Sequence, residues 1–158
     1  MRKWENVGGK LFQGAAQINL DAKGRMAVPT RIRDPLTSGG SVALVLTAHP
    51  DSCLLLYPEP AWSPIRAQVM AFPSLDRQTG LWKRLLVGFA QDVELDGAGR
   101  LLIPPELREF AHITRKVMLV GQGSHDEIWD LEMWNQQLEA LRSGGNPKLP
   151  PGIENFSL

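Results

Sequence analysis

Two short loops in this chain place arginine four residues after aspartate, in the pattern Asp-x-x-Gly-Arg. The first runs from Asp21 to Arg25 and the second from Asp96 to Arg100. The planar guanidinium of arginine can bond two acceptors at once, on a phosphate or on the edge of guanine. Lys23, inside the first loop, is a mobile point charge that suits a phosphate better than a base edge. The chemistry open to these loops is therefore binding to phosphates and base edges.

The same pattern also has a purely structural interpretation. Glycine supplies the positive φ that a tight turn needs, and a short aspartate side chain accepts bonds from nearby backbone N–H groups. Asp21, Gly24, Asp96 and Gly99 are therefore the predicted turn-forming residues. In this interpretation the loop arginines only pair with the aspartates and hold the turn. The residues alone leave both interpretations open.

Each loop lies within a longer block that occurs twice in the chain. The block spans Leu20–Leu36 and again Leu95–Ala111, at an offset of 75 residues (Asp96 against Asp21). Its leucine, aspartate, glycine, first arginine, proline and last arginine are identical in the two copies. Because an internal repeat decides the whole fold, the chain is predicted to be a fused pair of like halves.

Each half is predicted to contain a strand, the loop, a short strand, a short helix, two strands and a closing helix. Pro29 and Pro104 stand at the predicted first helical positions, where the missing N–H costs nothing. Three or four short strands cannot bury both of their faces alone, so the two halves should pair into one β layer. The predicted fold class is α+β, with pseudo-twofold symmetry inside one chain.

The predicted domain organisation follows the repeat. Helices are expected to link two β units, and the Pro- and Gly-rich C-terminal segment is expected to be disordered. The segments are a flexible lead (1–10), the first unit (15–60), the linking helices (61–89), the second unit (90–133), the rest of the closing helix (134–142) and the tail (143–158).

Composition narrows the class of protein. The chain has 158 residues, and its 17 basic and 17 acidic side chains cancel. This balance argues against an indiscriminate polyanion binder but permits a local basic patch. The single cysteine cannot form an intrachain disulfide. No apolar run reaches the roughly 20 residues that span a bilayer. The first residues lack the apolar core of a signal peptide. A cytoplasmic protein without a membrane partner is expected.

Catalytic and metal sites are not predicted. His49, His112 and His125 are scattered, and neither Cys-x-x-Cys nor His-x-x-x-His spacing occurs, so neither a zinc site nor another cofactor is expected. Cys53 begins an apolar strand and is interpreted as a buried structural thiol. Residues 121–124 suit a hairpin connection better than a phosphate-binding loop. We therefore expect no enzyme and no small-molecule substrate.

The sequence resembles the MraZ family of bacterial regulators over residues 11–142. The resemblance rests on the two copies of the block, on Leu11-Phe12-x-Gly14, and on the segments Cys53–Pro58 and Val117–Gln122. It implies two tandem AbrB-type swapped-hairpin units. It also implies a ring-shaped homo-oligomer, associated with the nucleoid, that binds short direct repeats in double-stranded DNA ahead of its own operon in the division and cell-wall gene cluster.

The resemblance thus implies a transcriptional regulator that contacts DNA through the loops. The second loop has Ala98 where the first has Lys23, so it carries one cation fewer. A protein-interaction or antitoxin-like module of the same fold, with incidental DNA affinity, is the alternative. For Arg33 and Arg108 a structural role at the fold corner is favoured over DNA contact. The full set of predicted DNA-binding residues is Lys23, Arg25, Arg31, Arg33, Arg100 and Arg108.

Overall fold

A computed structural model describes residues 12–37, 43–145 and 147–158 of the chain. The predicted lead at residues 1–10 lies outside the described residues. The first half contains β1 (Ala15–Asn19), β2 (Arg25–Ala27), α1 (Thr30–Thr37), β3 (Leu44–Ala48), β4 (Leu54–Pro58) and α2 (Glu59–Met70). A linking helix α3 (Arg77–Lys83) continues into a π-helical turn (Arg84–Gly88). The second half contains β5 (Gln91–Val93), β6 (Arg100–Leu102), α4 (Pro105–Phe110), β7 (Lys116–Gly121), β8 (Asp126–Asp130) and α5 (Leu131–Gly144).

The main sheet exchanges strands between the two halves. Its six strands follow the order β1-β7-β8-β4-β3-β5, so the hairpin of each half receives the first strand of the other half. A second, two-stranded sheet pairs β2 with β6. Exchanging the two halves leaves the strand order of both sheets unchanged. The predicted α+β class, the swapped-hairpin units and the pseudo-twofold symmetry are therefore confirmed.

The pseudo-twofold axis passes through two antiparallel strand pairs. In the main sheet Leu55 lies opposite Glu127, and in the small sheet Met26 lies opposite Leu101. Met26 and Leu101 are completely buried. They belong to the main apolar core, which also includes side chains of both short helices and of the main sheet. Burying this shared core requires both halves, which explains why the two units are fused and interlocked.

The closing helices cover other parts of the main sheet. Trp62 of α2 packs in a buried cluster with Tyr57 of β4. Trp134 of α5 packs against Trp129 of β8, with ring centroids 5.9 Å apart. Each half thus ends with the same arrangement, in which an aromatic residue of the last strand packs against an aromatic residue of the closing helix. The prediction that a helix follows each unit is confirmed.

Several element boundaries differ from those predicted. α1 and α4 begin at Thr30 and Pro105, so Pro29 and Pro104 precede the helices instead of occupying their first positions. The closing helix reaches Gly144, past the predicted end at residue 142, and residues 147–158 contain turns without helix or strand. Among the residues described, no helix combines the length and apolar character that crossing a lipid bilayer requires.

Candidate nucleic-acid interface

The first Asp-x-x-Gly-Arg loop is a closed turn organised by Asp21. One carboxylate oxygen, Oδ1, accepts hydrogen bonds from the backbone N–H groups of Lys23 at 3.0 Å and Arg25 at 2.9 Å. The other, Oδ2, accepts from Arg25 Nε at 2.6 Å. Gly24 has φ +85° and donates its backbone N–H to the Asp21 carbonyl. The backbone hydrogen bond from Arg25 is the main cause of the lowered pKa of Asp21.

The second loop repeats this geometry almost atom for atom. Asp96 Oδ1 accepts from the backbone N–H groups of Ala98 and Arg100, both at 2.9 Å, and Oδ2 accepts from Arg100 Nε at 2.8 Å. Gly99 has φ +75°. The backbone hydrogen bond from Arg100 is likewise the main cause of the lowered pKa of Asp96. The structural interpretation therefore describes both loops, since each aspartate pins its own turn.

The two loops lie side by side because β2 pairs with β6. Arg25 is opposite Leu102 in this pair, and Ala27 is opposite Arg100. The carbonyls of the two loop glycines accept hydrogen bonds from Val28 and Ile103 of the opposite unit. Arg100 Nη1 also lies 4.0 Å from Asp21 Oδ2, which joins the charged groups of the two loops. The pairing of the short strands thus forms one composite surface from two loops.

The cations of this surface remain available to solvent. Lys23 is exposed, and the side chains of Arg25 and Arg100 are 28% and 37% exposed. Each arginine pairs with its aspartate through the Nε edge, whereas a guanidinium has five N–H donors in all. The terminal nitrogens therefore keep N–H groups that a phosphate or a base edge could accept. Holding the turn and contacting DNA are compatible roles for the same side chain.

Arg33 and Arg108 connect each short helix to the loop of the opposite unit. The guanidinium of Arg108 covers Gly24, where an added Cβ would lie 2.5 Å from Nη1. Arg33 covers Gly99 in the same way, and its Nη2 donates to Thr30 Oγ1 at 3.1 Å. Arg108 Nε is buried and has no hydrogen-bond partner among the described residues. These two arginines therefore have close contacts that fit the structural role favoured for them.

Arg31 contacts a different segment. Its Nη1 donates to the Gln13 carbonyl at 2.9 Å, and its guanidinium lies against Gly14, which has φ +94°. The side chain thereby fixes the backbone that leads into β1. Of the six predicted DNA-binding residues, the structure brings five to the two loops and places the contacts of Arg31 at residues 13–14.

Arg115 is a candidate that the sequence patterns did not indicate. It is exposed, and its carbonyl accepts from the backbone N–H of Leu20 at 2.6 Å, next to the first loop. With Asp21, Arg108 and Thr114 it lines a cleft of about 440 Å³. Arg115 follows the repeated block and has no matching arginine in the first half, so only the swapped strand pairing reveals its position.

A cluster of potential metal ligands was also missed by the sequence patterns. His49, Cys53 and Glu127 each offer a ligand atom, and these atoms lie within 4.8 Å of one another. Cys53 is completely buried, as its apolar context predicted, and burial raises the pKa of its thiol. Spacing rules could not find this cluster, because Glu127 comes from the other unit and is distant in sequence.

Comparisons with known proteins find matches to both halves of the chain. The family described as "MraZ protein, putative antitoxin-like" matches the chain twice, over residues 11–85 and 86–146. "Transcriptional regulator MraZ" of Methylobacillus flagellatus is 57% identical over 148 residues, which cover 94% of this chain and 100% of that relative. The proteins of the same name from Azoarcus sp. and Nitrosomonas europaea are 50% and 42% identical over the same shares. The two family matches meet within the π-helical turn that links the halves.

Proposed function

The chain belongs to the MraZ family, and from this premise we propose that it is a transcriptional regulator that binds double-stranded DNA through its two Asp-x-x-Gly-Arg loops. Relatives that match nearly the whole chain carry the name transcriptional regulator. The observation that carries the proposal is the β2–β6 pairing, which sets the two loops side by side with cations that are at least partly exposed to solvent. A DNA-binding role of this kind requires no catalytic group.

The loops suit DNA because their arginines are held in place before binding. The Nε bonds to Asp21 and Asp96 restrict the rotamers of Arg25 and Arg100, so less side-chain freedom is lost on binding. Each guanidinium then offers its terminal N–H groups to a phosphate or to guanine, and Lys23 adds a contact to phosphate. Arg33 and Arg108 support the loops from behind, a structural role favoured for them over DNA contact, whereas DNA contact by Arg31 stays a prediction.

Binding by one copy alone would be weak. The loop segments 21–25 and 96–100 hold three cations and two carboxylates, so the local excess is a single positive charge. A few phosphate contacts give weak, salt-sensitive affinity. Several linked copies bind more tightly, because the first contact raises the effective concentration of the others. We therefore include a homo-oligomer in the proposal.

Exposed apolar side chains support self-association. Met70, Leu75, Leu81 and Trp82, on and between the linking helices, are 62%, 101%, 46% and 44% exposed. Such side chains favour contact between copies. In the proposed assembly, a ring presents its loops to short direct repeats about one helical turn, or roughly 10 base pairs, apart. The proposed targets are the division and cell-wall gene cluster and the protein's own operon, in the nucleoid.

The experiment is fluorescence anisotropy of the full chain on the DNA upstream of its own gene and on scrambled DNA of the same length. Arg25→Ala and Arg100→Ala are compared with Arg142→Ala, which removes a 71% exposed arginine on α5. We expect selective binding by the parent protein, roughly tenfold or more weaker binding by each loop variant, and no change in the control. Melting temperature and size-exclusion light scattering establish that every variant is folded and assembled.

The result that would overturn the proposal is equally weak binding to both DNAs that the loop substitutions do not change. That outcome would favour the alternative of a protein-interaction or antitoxin-like module with incidental DNA affinity.

A further inference from the structure

Three side chains of different chemistry converge where the hairpin of the first half meets a strand of the second. They are the imidazole of His49, the thiol of Cys53 and the carboxylate of Glu127, with one ligand atom from each within 4.8 Å of the others. His49 and Cys53 face each other across the turn after β3, where the His49 backbone N–H donates to the Cys53 carbonyl at 2.9 Å. Glu127 lies on β8, opposite Leu55 of β4.

Neighbouring groups already orient two of these side chains. Trp129 Nε1 donates to Glu127 Oε1 at 3.0 Å, and Gln122 Nε2 donates to the same oxygen at 3.4 Å. The other carboxylate oxygen has no hydrogen-bond partner among the described residues. The Asp51 backbone N–H donates to His49 Nδ1 at 3.0 Å, and the Asp51 carboxylate lies 3.8 Å from the same nitrogen. Donors beside a carboxylate, as at Glu127, are outer contacts that typically position a metal ligand.

We propose that His49, Cys53 and Glu127 bind one transition-metal ion of the Zn²⁺ type, which ties the β3–β4 hairpin of the first half to β8 of the second. In a tetrahedral zinc site, bonds of about 2.0–2.3 Å place the ligand atoms roughly 3.5 Å apart. The present separations, at most 4.8 Å, exceed that value by no more than about 1.3 Å. A thiolate with an imidazole selects Zn²⁺ or Co²⁺ over Mg²⁺ or Ca²⁺. A water occupies the fourth position, and the thiol proton leaves to solvent.

The site breaks the pseudo-symmetry, so one ion per chain is expected. Strand positions correspond at an offset of 72 residues, from β4 at Leu54 to β8 at Asp126. At this offset Cys53 corresponds to His125, and Glu127 corresponds to Leu55. The symmetry-related position therefore lacks the carboxylate and the thiol, and Gly121 stands there in place of His49. His49 is 29% exposed on its side chain, which gives an ion access from solvent.

The test is a Co²⁺ titration of the full chain without a histidine tag, after treatment with a chelator. The expected result is one equivalent of Co²⁺ with the visible bands of a tetrahedral site and a near-ultraviolet thiolate-to-cobalt charge-transfer band. Zn²⁺ should displace the Co²⁺ and raise the melting temperature. Cys53→Ala should abolish the charge-transfer band. Glu127→Gln, which can still accept from Trp129, should weaken binding by roughly tenfold or more, as should His49→Gln.

His112→Asn is the matched control, because this exposed histidine lies outside the cluster and asparagine tolerates its φ of 56°. The control should bind Co²⁺ like the parent protein. Circular dichroism and melting of the metal-free variants distinguish the removal of a ligand from the loss of the fold. Absence of a tetrahedral spectrum in the parent protein, or an unchanged spectrum in folded Cys53→Ala, would overturn the proposal. Either outcome leaves the DNA-binding proposal untouched, because that proposal rests on the loops.

Discussion

The guanidinium of Arg108 lies directly on Gly24, a residue of the opposite unit. A Cβ added at Gly24 would lie 2.5 Å from Arg108 Nη1 and 2.7 Å from its Cζ. Arg33 and Gly99 form the reciprocal contact. Glycine at these positions thus serves two needs, a positive φ and the close approach of an arginine. The shape of each loop and the pairing of the two units therefore depend on the same contact.

Gly24→Ala should destabilise the protein. The substitution places a side chain at φ +85° and against the Arg108 guanidinium. Backbone strain of this type costs about 1–3 kcal/mol in the free energy of unfolding. Urea denaturation measures it, with Gly97→Ala as control, since a Cβ at Gly97 would meet nothing within 4 Å. Equal stability of the two variants would show that the contact does not constrain the loop.

The Arg108→Met variant distinguishes a structural role of Arg108 from contact of this residue with DNA. Methionine keeps the apolar stem and removes the guanidinium that covers Gly24. We expect a loss of about 1–3 kcal/mol in the free energy of unfolding. The salt dependence of DNA binding by the folded variant should not change. A slope of log K against log salt that is smaller by about 0.9 for each copy on the DNA would instead assign Arg108 a phosphate contact.

The difference between the loops predicts a gain of affinity. Ala98 is exposed and holds the position that Lys23 holds in the first loop. Ala98→Lys should therefore add a phosphate contact and steepen the salt slope by about 0.9 for each copy that contacts the DNA, whereas Lys23→Ala should reduce it by the same amount. Anisotropy at several salt concentrations measures both. Two unchanged slopes would show that the loop tips do not reach DNA.

The burial of the Asp126 carboxyl group predicts that the protein loses stability as the pH rises. Asp126 is completely buried, neither carboxylate oxygen has a hydrogen-bond partner among the described residues, and burial raises the pKa of Asp126 to about 7, opposed by attraction to Arg31. The folded state therefore holds a proton that the unfolded state releases near pH 3.8. The stabilisation from this proton is fully present below pH 3.8 and is lost between there and about pH 7, by on the order of 4 kcal/mol.

Asp126→Asn should remove this dependence. Urea denaturation at pH 5 and pH 8, with a chelator present, compares the parent protein, the variant and the exposed control Asp92→Asn. Burial lowers the pKa of His125 to about 4, so this histidine adds a dependence of opposite sign. Its contribution is common to all three proteins and cancels in the comparison. If the free energy of unfolding changes between pH 5 and pH 8 by the same amount in the parent protein and in Asp126→Asn, the prediction is contradicted.

The repeat made the architecture predictable from sequence. Two copies of one block implied like halves, and strands too few to bury both faces implied their pairing. The resemblance to the MraZ family supplied the swapped-hairpin units. The β1–β7 and β5–β3 pairs agree with both expectations. Helix starts were displaced by one residue, because proline suits both the first helical position and the residue before it.

Features that break the repeat were not predictable. Asp126 is buried where the corresponding position of β4 holds Leu54, and no local pattern distinguishes such an aspartate from an exposed one. Glu127 joins His49 and Cys53 only because β8 pairs with β4. Contacts between distant segments depend on strand register, which residue spacing within one segment does not encode.

The paired loops are proposed to form the DNA interface. The most direct measurement is the salt dependence of binding to the protein's own upstream DNA by the Arg25→Gln/Arg100→Gln double variant, in which glutamine can still bond the loop aspartates. An interface at these loops predicts a salt slope smaller by about 0.9 for each arginine–phosphate pair that the substitutions remove. It also predicts that the preference over scrambled DNA disappears, while assembly size and melting temperature are preserved. A folded, assembled double variant that keeps the parent affinity, slope and preference would contradict it.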